Sequence, residues 1–175
     1  MIRVEIEVAP NKKAKPSDFH DAFVTWYAYM QKQTDEMFVR AGGPGSAEAG
    51  GSYRGVTWDP FAPQYIRKTD GATVYAWGGT PKLRGSGMVK PRLRPSGQPI
   101  TPASLLMQDT GRLRQRAATD IVRITPTTMA FGTNLEYAAA QQDMRPFLFV
   151  TEEDADKLAD LVAKKIEEAF GGEIS

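Results

Sequence analysis

Proton transfer and metal ligation near neutral pH rest mainly on histidine and cysteine. This 175-residue chain has one histidine, His20, and no cysteine. A two-histidine metal site, an HExxH helix, Cys-ligated zinc and a thiol nucleophile are therefore excluded. A Ser–His–acid triad would have to use His20, which sits near the start of a helical pattern, on its polar side. It reads as a solvated surface residue, because a catalytic histidine needs an orienting partner in a cleft. Glu152, Glu153 and Asp154 have the chemistry of a metal or acid–base site. They also open a helix, where carboxylates complement the positive end of the helix dipole. The glycines at 42, 43, 45, 50 and 51 are followed by neither GK[ST] nor a helix signal, so they are not a phosphate cradle. No catalytic, cofactor or metal residue is assigned, and the chain is expected not to be an enzyme.

Charge is the remaining chemical resource. The chain carries 22 Lys and Arg against 21 Asp and Glu. Nucleic-acid binders usually show a clear basic excess, which this chain lacks. The distribution is uneven, however. No acid lies between Asp70 and Asp109, while Lys82, Arg84, Lys90, Arg92 and Arg94 are basic. Residues 151–175 reverse the sign, with eight acids against three lysines. A basic arm and an acidic helix suit pairing between neighbouring copies, and the arm suits passing DNA equally. Solvated surfaces are the plain alternative for both, since exposed ion pairs are individually weak.

The elements that must position these groups follow from periodicity. Ile2, Val4, Ile6 and Val8 alternate with Arg3, Glu5 and Glu7, the pattern of a half-buried strand. Residues 9–16 read as a loop. Ser17 caps a helix whose apolar stripe is Phe19, Phe23, Trp26, Met30 and Met37, ended by Gly42 and Gly43. That stripe reads as core. Residues 42–104 are dense in Gly and Pro and threaded with aromatics, which predicts extended loops or an arm inserted in a single 1–175 domain. Thr73 to Trp77 is a candidate strand. Asp109 or Thr110 caps a short helix through Arg116. Ile121–Ile124 and Met129–Gly132 form a hairpin across Pro126. Leu135–Gln142 is a short helix or turn, and Phe147–Val150 a buried strand. Thr151, with Asp154 three residues on, caps a closing helix whose face is Leu158, Leu161, Val162, Ile166, Ala169 and Phe170, stopped by Gly171 and Gly172. No stretch is long and apolar enough to span a membrane, and residues 1–8 do not form a signal-peptide core, so a soluble, unexported protein is expected. The fold class is α+β, a small mainly antiparallel sheet packed by the first and last helices.

Four signatures in order resemble the phage virion morphogenesis, or tail-completion, family of Mu-like phages. They are SLLMQDTGRLRQR at 104–116, FGTNLEYAAAQQ at 131–142, MRPFLFVTEEDADKL at 144–158 and the closing amphipathic helix. Upstream, GVTWDPFAPQYIR at 55–67 is similar to the stretch that follows the family's first long helix. The chain departs from the pattern where Ala140 precedes Gln141 and Met144 follows almost at once. The resemblance implies a structural protein of the virion tail or neck, assembled in the host cytoplasm. It would complete the tail and mediate head–tail joining as a homo-oligomeric ring, with a hexamer favoured. Its partners would be other tail and connector proteins, with possible contact with DNA and none with membrane. The residues expected at partner contacts are Lys82, Arg84, Lys90, Arg92, Arg94, Arg145, Trp58 and Trp77. Gly132 is expected to mark a bulge or strand end, and Gly111 a close backbone approach. The alternative function is a nucleic-acid-contacting module that uses the 82–94 arm.

Overall fold

The computed structural model describes residues 2–7, 17–61, 65–66, 73–74 and 93–169. Its strands are β1 (Ile2–Glu7), β2 (Gly51–Tyr53), β3 (Val56–Trp58), β4 (Tyr65–Ile66), β5 (Thr73–Val74), β6 (Ile121–Ile124) and β7 (Thr128–Thr133). Its helices are α1 (Ser17–Arg40), α2 (Ser46–Ala49), α3 (Arg112–Arg116), α4 (Ala138–Met144) and α5 (Glu152–Ala169). The fold is α+β, as the patterning predicts. The chain forms two compact units, the second of which contains the expected 42–104 insertion. One comprises Met1–Asp35 with Gln115–Ser175, and the other is Glu36–Arg114.

The first unit is built on an antiparallel sheet of order β1-β7-β6. Val4, Phe131 and Val122 share one register line, and Glu5, Ala130 and Arg123 share the next. Paired residues lie on one face, so Phe131 and its neighbours form the apolar side. The N-terminal part of α1 packs there. Phe19, Ala22, Phe23, Trp26 and Met30 are buried. Trp26 and Tyr27 meet the Phe131 ring edge-on at 6.0 and 5.9 Å. Each large side chain removed from water contributes about 1.5–3 kcal/mol, so this stripe holds much of the unit together. The Trp26 indole donates to the Asp154 carbonyl at 2.7 Å, and the Lys157 ammonium lies 4.2 Å from the centre of the Tyr29 ring. These contacts seat α5 on α1.

Two expectations change in this unit, and one narrows. Gly132 is no bulge, although the β6–β7 pairing ends there, one residue before the end of β7. It pairs in regular register with Arg3 and Ile121, and a Cβ there would come within 2.0 Å of the Ile2 carbonyl oxygen. Phe147–Val150 is not a strand, although Phe147 and Leu148 are buried. On α5, Leu158 is buried but Leu161, Val162 and Ile166 are only half-buried.

The second unit corrects the picture of an extended arm for the described part of 42–104. The β2–β3 hairpin and α2 pack close to the end of α1. Trp58 is wholly buried, with its ring edge-on to Phe38 at 5.4 Å. Met37, Ala41, Ala47, Ile100 and Leu106 complete the core. Gly42 is required by contact: a Cβ would lie 2.8 Å from both the Leu106 carbonyl and the Trp58 ring. Tyr65–Ile66 pairs with Thr73–Val74, so the predicted strand forms in part. Residues 75–77 lie outside the described residues. So do the 9–16 loop and the Phe170–Gly172 helix stop.

Candidate interaction surface

The polar residues of the motif segments organise backbone. In the first unit, the Asp120 carboxylate accepts from the Arg116 guanidinium, the Thr133 hydroxyl at 2.9 Å and the Asn134 backbone N–H at 3.3 Å. Its side chain is only 7% exposed. Burial pushes its pKa upward, but the hydrogen bonds from Arg116, Thr133 and Asn134, with the Arg116 charge, outweigh burial and hold it below the usual aspartate value. The connection from α3 into β6 is thereby tied to the end of β7. Tyr27 closes the same region, its hydroxyl donating to the Ala118 carbonyl at 2.9 Å, and burial pushes its phenol pKa up.

Gln142 does what the missing strand would have done. Its amide oxygen accepts from Phe147 N and Leu148 N at 3.0 and 3.1 Å, and its amide nitrogen donates to the Leu148 carbonyl at 2.9 Å. The side chain thus substitutes for a neighbouring strand and holds Phe147 and Leu148 inward. Helix α5 then begins on a reciprocal cap. Asp154 Oδ2 accepts from Thr151 N at 2.8 Å and from the Thr151 hydroxyl at 3.0 Å. Asp154 N reaches back to that hydroxyl at 3.4 Å. This is the capping box expected from the spacing.

Around these clamps, large apolar side chains remain in water. Tyr137, Met144 and Val150 are 45%, 59% and 36% exposed. Tyr137 and Met144 are seven residues apart at the two ends of α4. Two helical turns place them on one side, about 10 Å apart along the axis.

In the second unit, Asp109 does not cap α3. Thr110 takes that role, with its hydroxyl 3.4 Å from Arg112 N. Asp109 instead binds Ser96 through both the backbone N–H, at 2.9 Å, and the hydroxyl, and it faces Arg94 at 3.8 Å. Arg94 donates to the Leu105 carbonyl at 2.9 Å and its side chain is 11% exposed. Together they fold the turn at 94–98 onto the strand of chain before α3. A depression of about 350 Å³ lies beside them, lined by Gln98, Thr101, Ser104 and Gln108 among others. Gly111 adopts a φ of 72°, a conformation that favours glycine.

The predicted partner residues fare unevenly. Trp58 is core, since its ring fills the space between Phe38 and Gly42, and Arg94 is an internal staple. Arg145 is half-buried, its N–H bonded to the Gln141 carbonyl at 2.8 Å. Lys82, Arg84, Lys90, Arg92 and Trp77 lie outside the described residues. His20 is a surface residue, with its ring nitrogen 3.6 Å from Asp21. No group of three His, Asp or Glu that could hold a metal ion exists among the described residues. No described helix is long and apolar enough to cross a membrane. Sequence reasoning missed Gln142 and Asp120, whose types are ordinary and whose roles depend on backbone brought near them by the fold. No family model, characterised protein or solved structure matches the chain.

Proposed function

We propose that the chain is a structural component of a tailed-phage virion. It completes the tail and joins it to the head as part of a homo-oligomeric ring in the neck, in contact with other tail and connector proteins. The observation that supports this most is how exposure is divided along residues 131–158, which carry two of the family-like signatures. Two of their polar side chains, Gln142 and Asp154, are spent on fixing backbone, while three large apolar ones, Tyr137, Met144 and Val150, face water. Such a segment is built to present contacts, and apolar contact side chains are what association surfaces use.

The test is to delete the gene from a phage or prophage that carries it and to examine the lysate by electron microscopy. Separate full heads and unjoined tails are expected, and purified wild-type particles should contain the protein. Normal infectious particles without it overturn the reading. The basic run gives a second reading, contact with DNA. Because Arg94 is committed to Asp109 and Leu105, the variant that separates the two readings is Arg84→Glu with Arg92→Glu. A docking role predicts failed joining with unchanged DNA affinity, and a DNA role predicts a salt-dependent loss of binding.

A further inference from the structure

We infer that the two edges of the three-stranded sheet join one copy of the chain to the next, with β6 of one copy pairing in parallel with β1 of its neighbour. The inference rests on the oligomeric reading above and names the surface it would use. Among the described residues, β6 and β1 each have a single strand partner, β7. An edge strand offers a row of unpaired N–H and C=O groups to another chain. Strand β6 reads Ile-Val-Arg-Ile, with Val122 46% exposed, and it lacks the lysine, proline or bulge that commonly blocks an edge.

The hydrogen-bond phase of the sheet determines which pairing works. Thr125 N donates to the Thr128 carbonyl at 2.8 Å, so 125 and 128 are a hydrogen-bonded pair. Antiparallel pairs alternate, which makes Arg123 and Ala130 the next bonded pair and turns the backbone groups of Val122 outward. Across β7 the same alternation bonds Phe131 to Val4, and turns the backbone groups of Arg3 and Glu5 outward.

In a parallel pair, a residue that faces its partner bonds the two residues flanking the one opposite. Val122 bonding Arg3 and Glu5 of the next copy therefore sits opposite that copy's Val4. Both valines belong to the apolar face that carries Phe131. The same register sets Arg123 opposite Glu5 on the polar face, where Arg123 is exposed. Glu5 is 56% exposed and paired at 2.9 Å with Arg3 of its own strand, so the carboxylate would be shared between the two guanidinium groups. An antiparallel β6–β1 contact fails, because it would set Val122 directly opposite Arg3 or Glu5 and join an apolar face to a polar one. Pairing of β6 with its own copy centred on Arg123 sets two arginines side by side. Charge and face thus agree in the parallel head-to-tail arrangement. Such an interface is heterologous, the type that builds a ring when the rotation between copies closes.

The absence of cysteine gives a clean background for the test. Glu5→Cys and Arg123→Cys are introduced singly and together in the full-length chain and oxidised to disulfides. These need Cα atoms within about 7 Å and so cannot bridge the two sites within one chain, where β7 lies between them. A ladder of covalent multimers from the double variant, with neither single variant cross-linking, is the expected result. A covalent dimer from Arg123→Cys alone shows β6–β6 contact, and one from Glu5→Cys alone shows β1–β1 contact. Either overturns the inference. No cross-link in a wild-type-like oligomer overturns the strand pairing but leaves the oligomeric reading standing. A wild-type chain that sediments as a monomer at every concentration, and is monomeric in particles, removes both. As a second readout, Arg123→Glu sets two acids side by side and weakens association about tenfold, and adding Glu5→Arg restores it. Failure of that restoration, with each variant folded by circular dichroism, also counts against the pairing.

Discussion

Replacement of Gln142 tests the idea that one side chain stands in for a strand. Gln142→Ala removes three hydrogen bonds at once, those from Phe147 N and Leu148 N and the one to the Leu148 carbonyl. The chain they fix is buried, with Phe147 and Leu148 only 1% and 4% exposed. A typical hydrogen bond contributes about 0.5–1.5 kcal/mol net, and three of them amount to about 3 kcal/mol. A chain of this size loses about 2–4 °C in Tm per kcal/mol, so the midpoint should fall by about 6–12 °C. Urea unfolding followed by circular dichroism measures the same loss at an unchanged m-value.

Gln142→Glu sharpens the test through pH. When ionised, the new carboxylate still accepts from the two N–H groups but sets an oxygen against the Leu148 carbonyl in place of a donor. When protonated, it has a hydroxyl that can donate there and mimic the amide. The repulsion and the burial of the site raise its folded pKa against the two N–H donors, which lower it. Where the pKa is raised, the stability it contributes is present below the unfolded glutamate value of about 4.3. That stability is lost as pH rises through the folded pKa. The variant should approach wild type near pH 4 and fall short of it at pH 7. A loss below about 0.5 kcal/mol for Gln142→Ala would show that water replaces the clamp without penalty. Equal deficits for Gln142→Glu at both pH values would show that the two N–H donors offset the repulsion from the Leu148 carbonyl.

Asp120 should govern acid stability of the first unit. Its folded pKa is lowered, so its contribution is complete above the unfolded value of about 3.9 and is lost as pH falls through the folded value. Asp120→Asn should flatten the acid limb of a stability–pH curve, and an unchanged limb would show that other carboxylates set it. Gly132→Val should detach β1, because even a Cβ at that position meets the Ile2 carbonyl, and hydrogen exchange should show loss of protection at Val4 first. Leu158→Asp should unfold the unit, since burying an unpaired charge costs several kcal/mol. Val162→Asp, at a half-buried position, should lower Tm without unfolding it, and equal damage from both would contradict the observed burial.

Much of the first unit was legible because its elements are periodic. Alternation gave β1, the stripe from Phe19 to Met30 gave α1, and Thr-x-x-Asp before an apolar face gave the start of α5. The 147–150 segment misled because its apolar run matches a buried strand, and periodicity carries no trace of a glutamine five residues upstream supplying the partner. The 42–61 segment misled for the opposite reason. Dense glycine reads as loop by composition, yet Gly42 is there so that the Phe38 and Leu106 carbonyls can approach around Trp58. Trp58 consequently changed role, from an expected partner contact to core. Asp109 changed role because it binds a turn thirteen residues earlier, a contact that local capping rules do not see.

Gln142, Asp109 and Asp154 share one physical device. Each uses a side-chain oxygen to fix backbone N–H groups where no strand supplies a partner, so short irregular segments hold a defined course. The exposed apolar residues lie close to these clamps along the chain. Met144 is two residues after Gln142, Val150 immediately precedes the Thr151–Asp154 cap, and Leu93, 57% exposed, immediately precedes the Arg94 that Asp109 faces. A contact residue on a fixed backbone loses less conformational entropy when it meets a partner than one on a free loop. Loosening a clamp should therefore weaken association even though no contact side chain is touched. For Gln142→Ala, studied well below its melting temperature, the surface at Tyr137 and Met144 keeps its chemistry and loses its preorganisation. Any weakening of assembly seen there measures what the clamp contributes to binding, separately from what it contributes to folding.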